Sequence, residues 1–282
     1  MVPTARSLIL NLLLASKERS QSARETIASC ALFGIRENNV RVALARLVAE
    51  GLIEPTRRGV YRLGPRAAAL ADDVATWRMA EERVRDWAGG WITVHVGSLG
   101  RSDRVALRAR DRALAMLGLR ELDRGLYVRP DNLKGGVDEA RERLHRLGLE
   151  PAAAVFIATQ FDAEREARAR NLWDGERLSL AYRTTRLELE HWRTHAGTLE
   201  PEAAAREAYL LGNEAIRQIV FDPLLPAPLV DVEERRAFVA TVRRHDDAGR
   251  ECWRRLHLGD GNNDAAAPHS FPFESHTAPT RP

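Results

Sequence analysis

The 282-residue chain has only two cysteines, Cys30 and Cys252, set far apart, which excludes a disulfide framework and fits a reducing compartment. Long apolar runs are missing too. The longest near the start, Leu8 to Ala15, is interrupted by Asn11 and falls far short of the roughly 20 residues a bilayer span requires. No signal-peptide cleavage pattern accompanies it, so a cytoplasmic protein without membrane association is expected. No internal repeat, glycine-rich phosphate loop or nucleophile–histidine–acid constellation is recognisable, and Gly89-Gly90 ahead of Trp91 is more simply a hinge. His191 and His195 stand four apart on a predicted helix, the spacing of two metal ligands, but lack a third. Surface or packing histidines are the better reading. Accordingly, no catalytic residue, cofactor or metal is expected.

What is present is ordinary in amount and uneven in distribution. A 44% hydrophobic and 29% charged composition suits a soluble globular chain, and the length suits two or three domains. The net charge of +3 is small, yet residues 1–66 hold eleven basic against five acidic residues, so this stretch is +6 and the remainder −3. Its basic residues are nearly all arginine, whose planar fork suits bidentate contact with phosphate or guanine, although a GC-rich genome produces the same bias.

In that basic segment the apolar spacing predicts three helices. Thr4–Ser16 places Leu8, Ile9, Leu12 and Leu13 on one face, with Thr4 as N-cap. Ser22–Phe33 turns Ile27, Cys30 and Ala31 inward, Cys30 as a small apolar residue. A third helix runs from Arg36 or Glu37 to Glu50, with Val40, Leu44, Leu47 and Val48 buried and Gly51 closing it. Two short strands, Leu52–Pro55 and Val60–Leu63, follow around Thr56-Arg57-Arg58-Gly59. Three helices and a basic hairpin predict a winged helix-turn-helix. Its candidate DNA-binding residues are Arg36, Asn38, Asn39, Arg41 and Arg46 on the third helix and Arg57, Arg58 and Arg62 on the hairpin. Asparagine pairs with adenine and arginine with guanine in the major groove, while hairpin arginines suit phosphate or the minor groove. Any solvated helix face also carries such residues; the adjacent hairpin arginines favour DNA.

The fold class expected for the whole is α+β. Residues 67–88 read as a connecting helix. In residues 89–161, the strands Trp91–Val96, Arg120–Asp123, Gly125–Arg129 and Ala153–Thr159 alternate with helices Asp103–Leu117 and Lys134–Leu147. This is the βαββαβ order of a ferredoxin-like domain. Residues 162–258 show only helical periodicity, in Leu178–Ala196, Glu202–Phe221 and Val232–Leu256, and predict an all-helical C-terminal domain. Residues 259–282, rich in Gly, Asn, Ala, Ser and Pro, predict a disordered tail.

Several stretches together resemble the PaaX-type repressors of aromatic acid catabolism. They are Ala5-Arg6-Ser7-Leu8-Ile9, Phe33-Gly34-Ile35, the run Val40 to Val48, Gly51-Leu52-Ile53-Glu54, Tyr127-Val128-Arg129-Pro130, Leu172-Trp173-Asp174 leading to Tyr182, and Asp222-Pro223-Leu224-Leu225-Pro226. The resemblance extends to about Leu258. It implies a homodimeric regulator that binds an inverted repeat in double-stranded operator DNA and is released by a small-molecule effector, phenylacetyl-CoA in the best-known branch. The chain departs from the pattern at Arg36, where Ser or Asn is common, at Leu63-Gly64-Pro65, and after Pro226, where a frequent tryptophan is missing. An aromatic acyl-CoA needs apolar walls and cationic phosphate partners. Trp173, Tyr182 and Trp192 are the candidates for the first, Arg129 and Arg183 for the second.

The alternative is a nucleic-acid-processing protein with a ferredoxin-like nuclease domain. Such a nuclease needs a metal-binding carboxylate near the end of its first strand, where this chain has Val96-Gly97-Ser98. The middle domain is therefore read as a structural or dimerisation platform. A constitutive architectural binder without an effector is the third reading.

Overall fold

Reciprocal hydrogen bonds open the first helix, α1 (Ala5–Ala15): Ser7 N–H donates to Thr4 Oγ1 at 3.1 Å and Thr4 N–H to Ser7 Oγ at 3.0 Å. In the computed structural model, which describes residues 3–15, 20–67, 76–100 and 102–259, Leu8, Ile9, Leu12 and Leu13 are all buried on this helix. A strand that the sequence reading lacks, β1 (Ser20–Ser22), follows. Ser22 then caps α2 (Ala23–Ala31) in a capping box, its hydroxyl accepting from the Glu25 N–H while the Glu25 carboxylate accepts from the Ser22 N–H. Gly34, at φ +71°, turns the chain into α3 (Glu37–Ala49). Arg36 occupies the N-cap without a side-chain hydrogen bond, as its departure from Ser or Asn predicts. Gly51, at φ +69°, releases the chain into the hairpin β2 (Ile53–Arg57) and β3 (Val60–Leu63), and the antiparallel sheet has the order β1-β3-β2.

The next elements are β4 (Trp91–His95), α4 (Arg104–Met116), β5 (Arg120–Asp123), β6 (Leu126–Pro130), α5 (Gly136–Arg146) and β7 (Ala154–Ala158). The four strands form an antiparallel sheet of order β5-β6-β4-β7, with β4 between β6 and β7. The helices α6 (Ala163–Arg170), α7 (Gly175–His195), α8 (Pro201–Val220) and α9 (Val232–Gly259) complete the chain. The molecule is thus α+β. No helix among the described residues is long and apolar enough to cross a membrane.

The expected connecting helix needs correction over its described part. Residues Thr76–Met79 and Glu81–Arg83 form 3₁₀ turns, and Val84 makes a β-bridge to Leu133. The cause is competition for the backbone: Arg85 N–H donates to Asn132 O and Lys134 N–H to Arg83 O, each at 2.8 Å, in place of helical partners. Residues 68–75, within the same expected helix, and 260–282, nearly all of the expected tail, lie outside the described residues.

Chain contacts divide the molecule into two compact units. The first draws on Met1–Ala75, Leu187–Arg217 and Thr241–Pro282, the second on Thr76–Arg186 and Gln218–Ala240. In the first unit the apolar faces of α1, α2 and α3 share one core with Ala205, Tyr209 and Trp253. Phe33 meets Tyr209 edge-on with ring centroids 5.1 Å apart and stacks on Trp253 at 6.4 Å. Asn11, fully buried on α1, donates to Tyr209 Oη at 2.5 Å. In the second unit, residues Asp222 to Pro226 form a buried loop whose carbonyls need internal donors. Arg129 donates to Pro223 O, Asn132 to Leu224 O and Arg235 to Leu225 O. Gly118 fits beneath this loop because a Cβ there would lie 2.6 Å from Pro223 Cα.

Candidate nucleic-acid interface

Helix α3 has two unlike faces. Val40, Leu44 and Leu47 are buried, and Val48 is half-buried, so three or four residues per two turns fix one face inward. Asn38, Asn39, Arg41, Val42, Ala45, Arg46 and Ala49 are exposed on the other, together with Arg36 just before the helix. The side chains of Arg36, Asn38, Asn39 and Arg46 make no hydrogen bond or ion pair with any described residue. Arg41 is bound to Glu37 one turn earlier, at 2.6 Å, but both side chains are more than half exposed. An exposed pair at this spacing is worth only about 0.3–0.5 kcal/mol, against about 1–3 kcal/mol for a good bidentate base contact. The guanidinium is therefore cheaply redirected.

At the hairpin, Arg57, Arg58 and Arg62 are exposed. Arg57 and Arg58 have no side-chain partner among the described residues, and Gly59 at φ +72° makes the tight turn between the strands. Arg62 is held by Glu54 across the β2–β3 pair at 2.5 Å. An open groove lined by Ser22, Ala23, Arg24, Ile27, Glu37, Arg41 and Gly59 links the start of α2, the start of α3 and the hairpin turn. The eight sequence-predicted residues thus lie on two neighbouring elements of one unit. The sequence reading misses Arg24, which lines this groove; Val42 is a 43% exposed apolar side chain on the outer face of α3. The Ser22/Glu25 capping box marks the start of α2 and is the available signal for Arg24. The exposure of Val42 follows from its place opposite Val40 and Leu44.

Of the five candidate effector residues, Arg129, Trp173, Tyr182 and Arg183 belong to the second unit and Trp192 to the first. Arg129 is buried, and its guanidinium donates to Leu117 O, to Asn132 Oδ1 at 2.8 Å and to the Pro130 and Pro223 carbonyls at 3.2 Å. Burial pulls its pKa down to about 10, opposed by Asp131 and Asp222, so it remains charged at neutral pH. A ligand phosphate reaches it only by displacing these acceptors. Trp173 stacks on Trp91 and donates to Gly118 O at 3.2 Å. Tyr182 stacks on Phe238, and burial, with the nearby Asp222 charge, pushes its hydroxyl pKa up. Arg183 is exposed, 3.5 Å from Glu234. Trp192 belongs to the other unit, where it meets the buried His245 edge-on; desolvation lowers the pKa of that imidazole, and its Nε2 lies 3.0 Å from Ala208 O. His191 and His195 have ring centroids 4.3 Å apart and are exposed.

No curated protein matches the chain. Among solved structures, the uncharacterized protein Rv0674 from Mycobacterium tuberculosis is similar, with 26% identity and a TM-score of 0.52, over 87% of this chain and 98% of that one. Two family models match in chain order, that of PaaX-like protein over residues 4–67 and that of PaaX-like protein C-terminal domain over residues 173–255. The first spans α1 to β3 with the whole candidate interface, the second α7 to most of α9, together just over half of the sequence, and the chain belongs to the PaaX-like family.

Proposed function

We propose that the protein is a DNA-binding transcriptional regulator, a repressor of aromatic-compound catabolic genes that a small-molecule effector such as an aromatic acyl-CoA releases from its operator. The observation that carries this reading is the outer face of α3, whose asparagines and arginines stand exposed and mostly unpaired beside a hairpin tipped with Arg57 and Arg58. On this reading α1–α3 and β1–β3 are a winged helix. Helix α3 enters the major groove, with Val42 and Ala45 against thymine methyl groups and Asn38, Asn39, Arg41 and Arg46 at base edges, Arg36 lying at its entry. The hairpin, with Arg57, Arg58 and Arg62, lies on phosphate or in the minor groove. The β5-β6-β4-β7 sheet, with its two intervening helices, reads as a ferredoxin-like domain that serves as a platform for pairing two chains.

The two kinds of contact are separable. Arg41→Ala is expected to cost about 1–3 kcal/mol on the operator and little on unrelated duplex, whereas Arg58→Ala weakens both alike and flattens the salt dependence. Fluorescence-anisotropy titrations on the promoter of the protein's own or adjacent genes provide the measurement. Wild-type affinity in both variants would remove the helix and hairpin from the interface.

One winged helix covers a small footprint, so the regulator acts as a homodimer on an inverted repeat, with recognition helices about one helical turn apart or a multiple of it. Light scattering of the free protein and of its operator complex should give two chains per site. A strict monomer at micromolar concentration, bound one per site, contradicts this.

A further inference from the structure

The arginines of α4 are arranged unlike those of the other helices. Arg110 faces inward, where it is bound to Glu150 and to Gly100 O. Arg104, Arg108 and Arg112 face outward, are exposed, and recur every four residues, so they form a single ridge about 12 Å long at 1.5 Å of rise per residue. None of the three has a hydrogen bond or ion pair with any described residue. On other helices several arginines are matched to carboxylates three or four positions away, as in Arg141–Asp138 on α5, Arg170–Glu166 on α6 and Arg250–Asp246 on α9, and those that are not, such as Arg146 and Arg193, do not recur in a row of three. The one carboxylate of α4, Asp111, is exposed and pairs with none of the ridge arginines. Like charges one turn apart repel, so the ridge costs the isolated helix stability.

We infer that this ridge is a second DNA contact, in which Arg104, Arg108 and Arg112 bind phosphates of the duplex. The inference rests on the regulator reading above. A duplex presents a regular line of fixed negative charge, and each guanidinium offers the fork that grips a phosphate, so the partner supplies the counter-charges that the helix lacks. The contact carries no sequence information; it adds affinity. The ridge belongs to the second unit of the chain, the hairpin and α3 to the first.

The test uses the full chain and a labelled duplex of arbitrary sequence about four helical turns long, titrated across a range of salt. The triple variant Arg104→Gln, Arg108→Gln, Arg112→Gln is compared with the hairpin variant Arg57→Gln, Arg58→Gln and with the corresponding triple Lys variant. The triple Gln variant is expected to bind about tenfold or more weakly at low salt. Its log–log salt slope should fall by about 2 to 3, near 0.9 for each phosphate that is no longer neutralised, while the Lys variant keeps the slope. Its melting temperature should equal or exceed that of the wild type; if it does not melt cooperatively, Arg108→Glu replaces it. A slope that falls in the hairpin variant but not in the ridge variant overturns the ridge and leaves the regulator reading intact. Failure of the wild-type chain to bind duplex overturns both. Ridge-dependent binding of single-stranded RNA but not of duplex overturns the assignment to DNA.

Discussion

Trp253→Ala is expected to destabilise the first unit by about 3–5 kcal/mol, the cost of removing a large buried aromatic side chain, and to weaken DNA binding with it. Trp253 lies outside the residues that form the proposed winged helix, yet it is 1% exposed in the core to which α1, α2 and α3 contribute. Its ring stacks on Phe33, at the end of α2 and just before the turn into α3, and its indole N–H donates to Ala205 O at 3.0 Å. The substitution leaves a cavity on one side of Phe33 and removes the indole N–H from Ala205 O. Because Phe33 leads directly through Gly34 and Ile35 into α3, the loss is transmitted to the angle at which that helix stands. Urea unfolding followed by far-ultraviolet circular dichroism, alongside operator titration, measures both effects. Trp253→Phe keeps most of the apolar volume and should lose less of each. A loss below about 1 kcal/mol for Trp253→Ala would mean that the C-terminal helix is not part of this core.

That shared core is the part of the architecture that the amino-acid order hides. Local periodicity locates α1, α2 and α3 to within a few residues and identifies Val40, Leu44 and Leu47 as buried, because a helix face repeats within the span of the helix itself. The same signal marks α8 and α9 as amphipathic without saying that Tyr209 and Trp253 close the core of α1–α3, since that depends on which faces meet in space. The strand β1 is three residues of Ser and Gln, too short and polar to signal a strand, and exists because β3 supplies its partners. Helix α6 merges into a general helical expectation because Ala169 is its one buried residue. Among the candidate site residues, those on the third helix and hairpin are visible because an exposed basic face contrasts with an apolar one. The role of Arg129 is not, because within the fold it donates to a loop carbonyl, Pro223 O, more than ninety residues away.

The same placement sharpens the expectation for induction. An aromatic acyl-CoA such as phenylacetyl-CoA should detach the protein from operator DNA, while the free acid, which lacks the phosphates, does not. Release follows only if the thioester binds more tightly to a conformation in which the two recognition helices no longer fit their grooves. A near-complete change from 1:99 to 99:1 requires about 5.5 kcal/mol of such preference, and a tenfold preference supplies only about 1.4 kcal/mol. Of the two candidate phosphate partners, Arg183 is exposed and engaged, among the described residues, only with Glu234 at 3.5 Å, a contact that solvent screens, whereas Arg129 is fully engaged inside the second unit. Arg183→Ala should therefore weaken thioester binding and leave operator affinity unchanged, and Arg129→Ala should instead lower the stability of the second unit by leaving buried carbonyls without donors. Calorimetric titration with thioesters and free acids, paired with operator release followed by anisotropy, separates these outcomes. Release by a free acid alone would retain the regulator and eliminate the CoA moiety as the recognised group. No release by any aromatic catabolite or its thioester would make the protein a constitutive DNA binder.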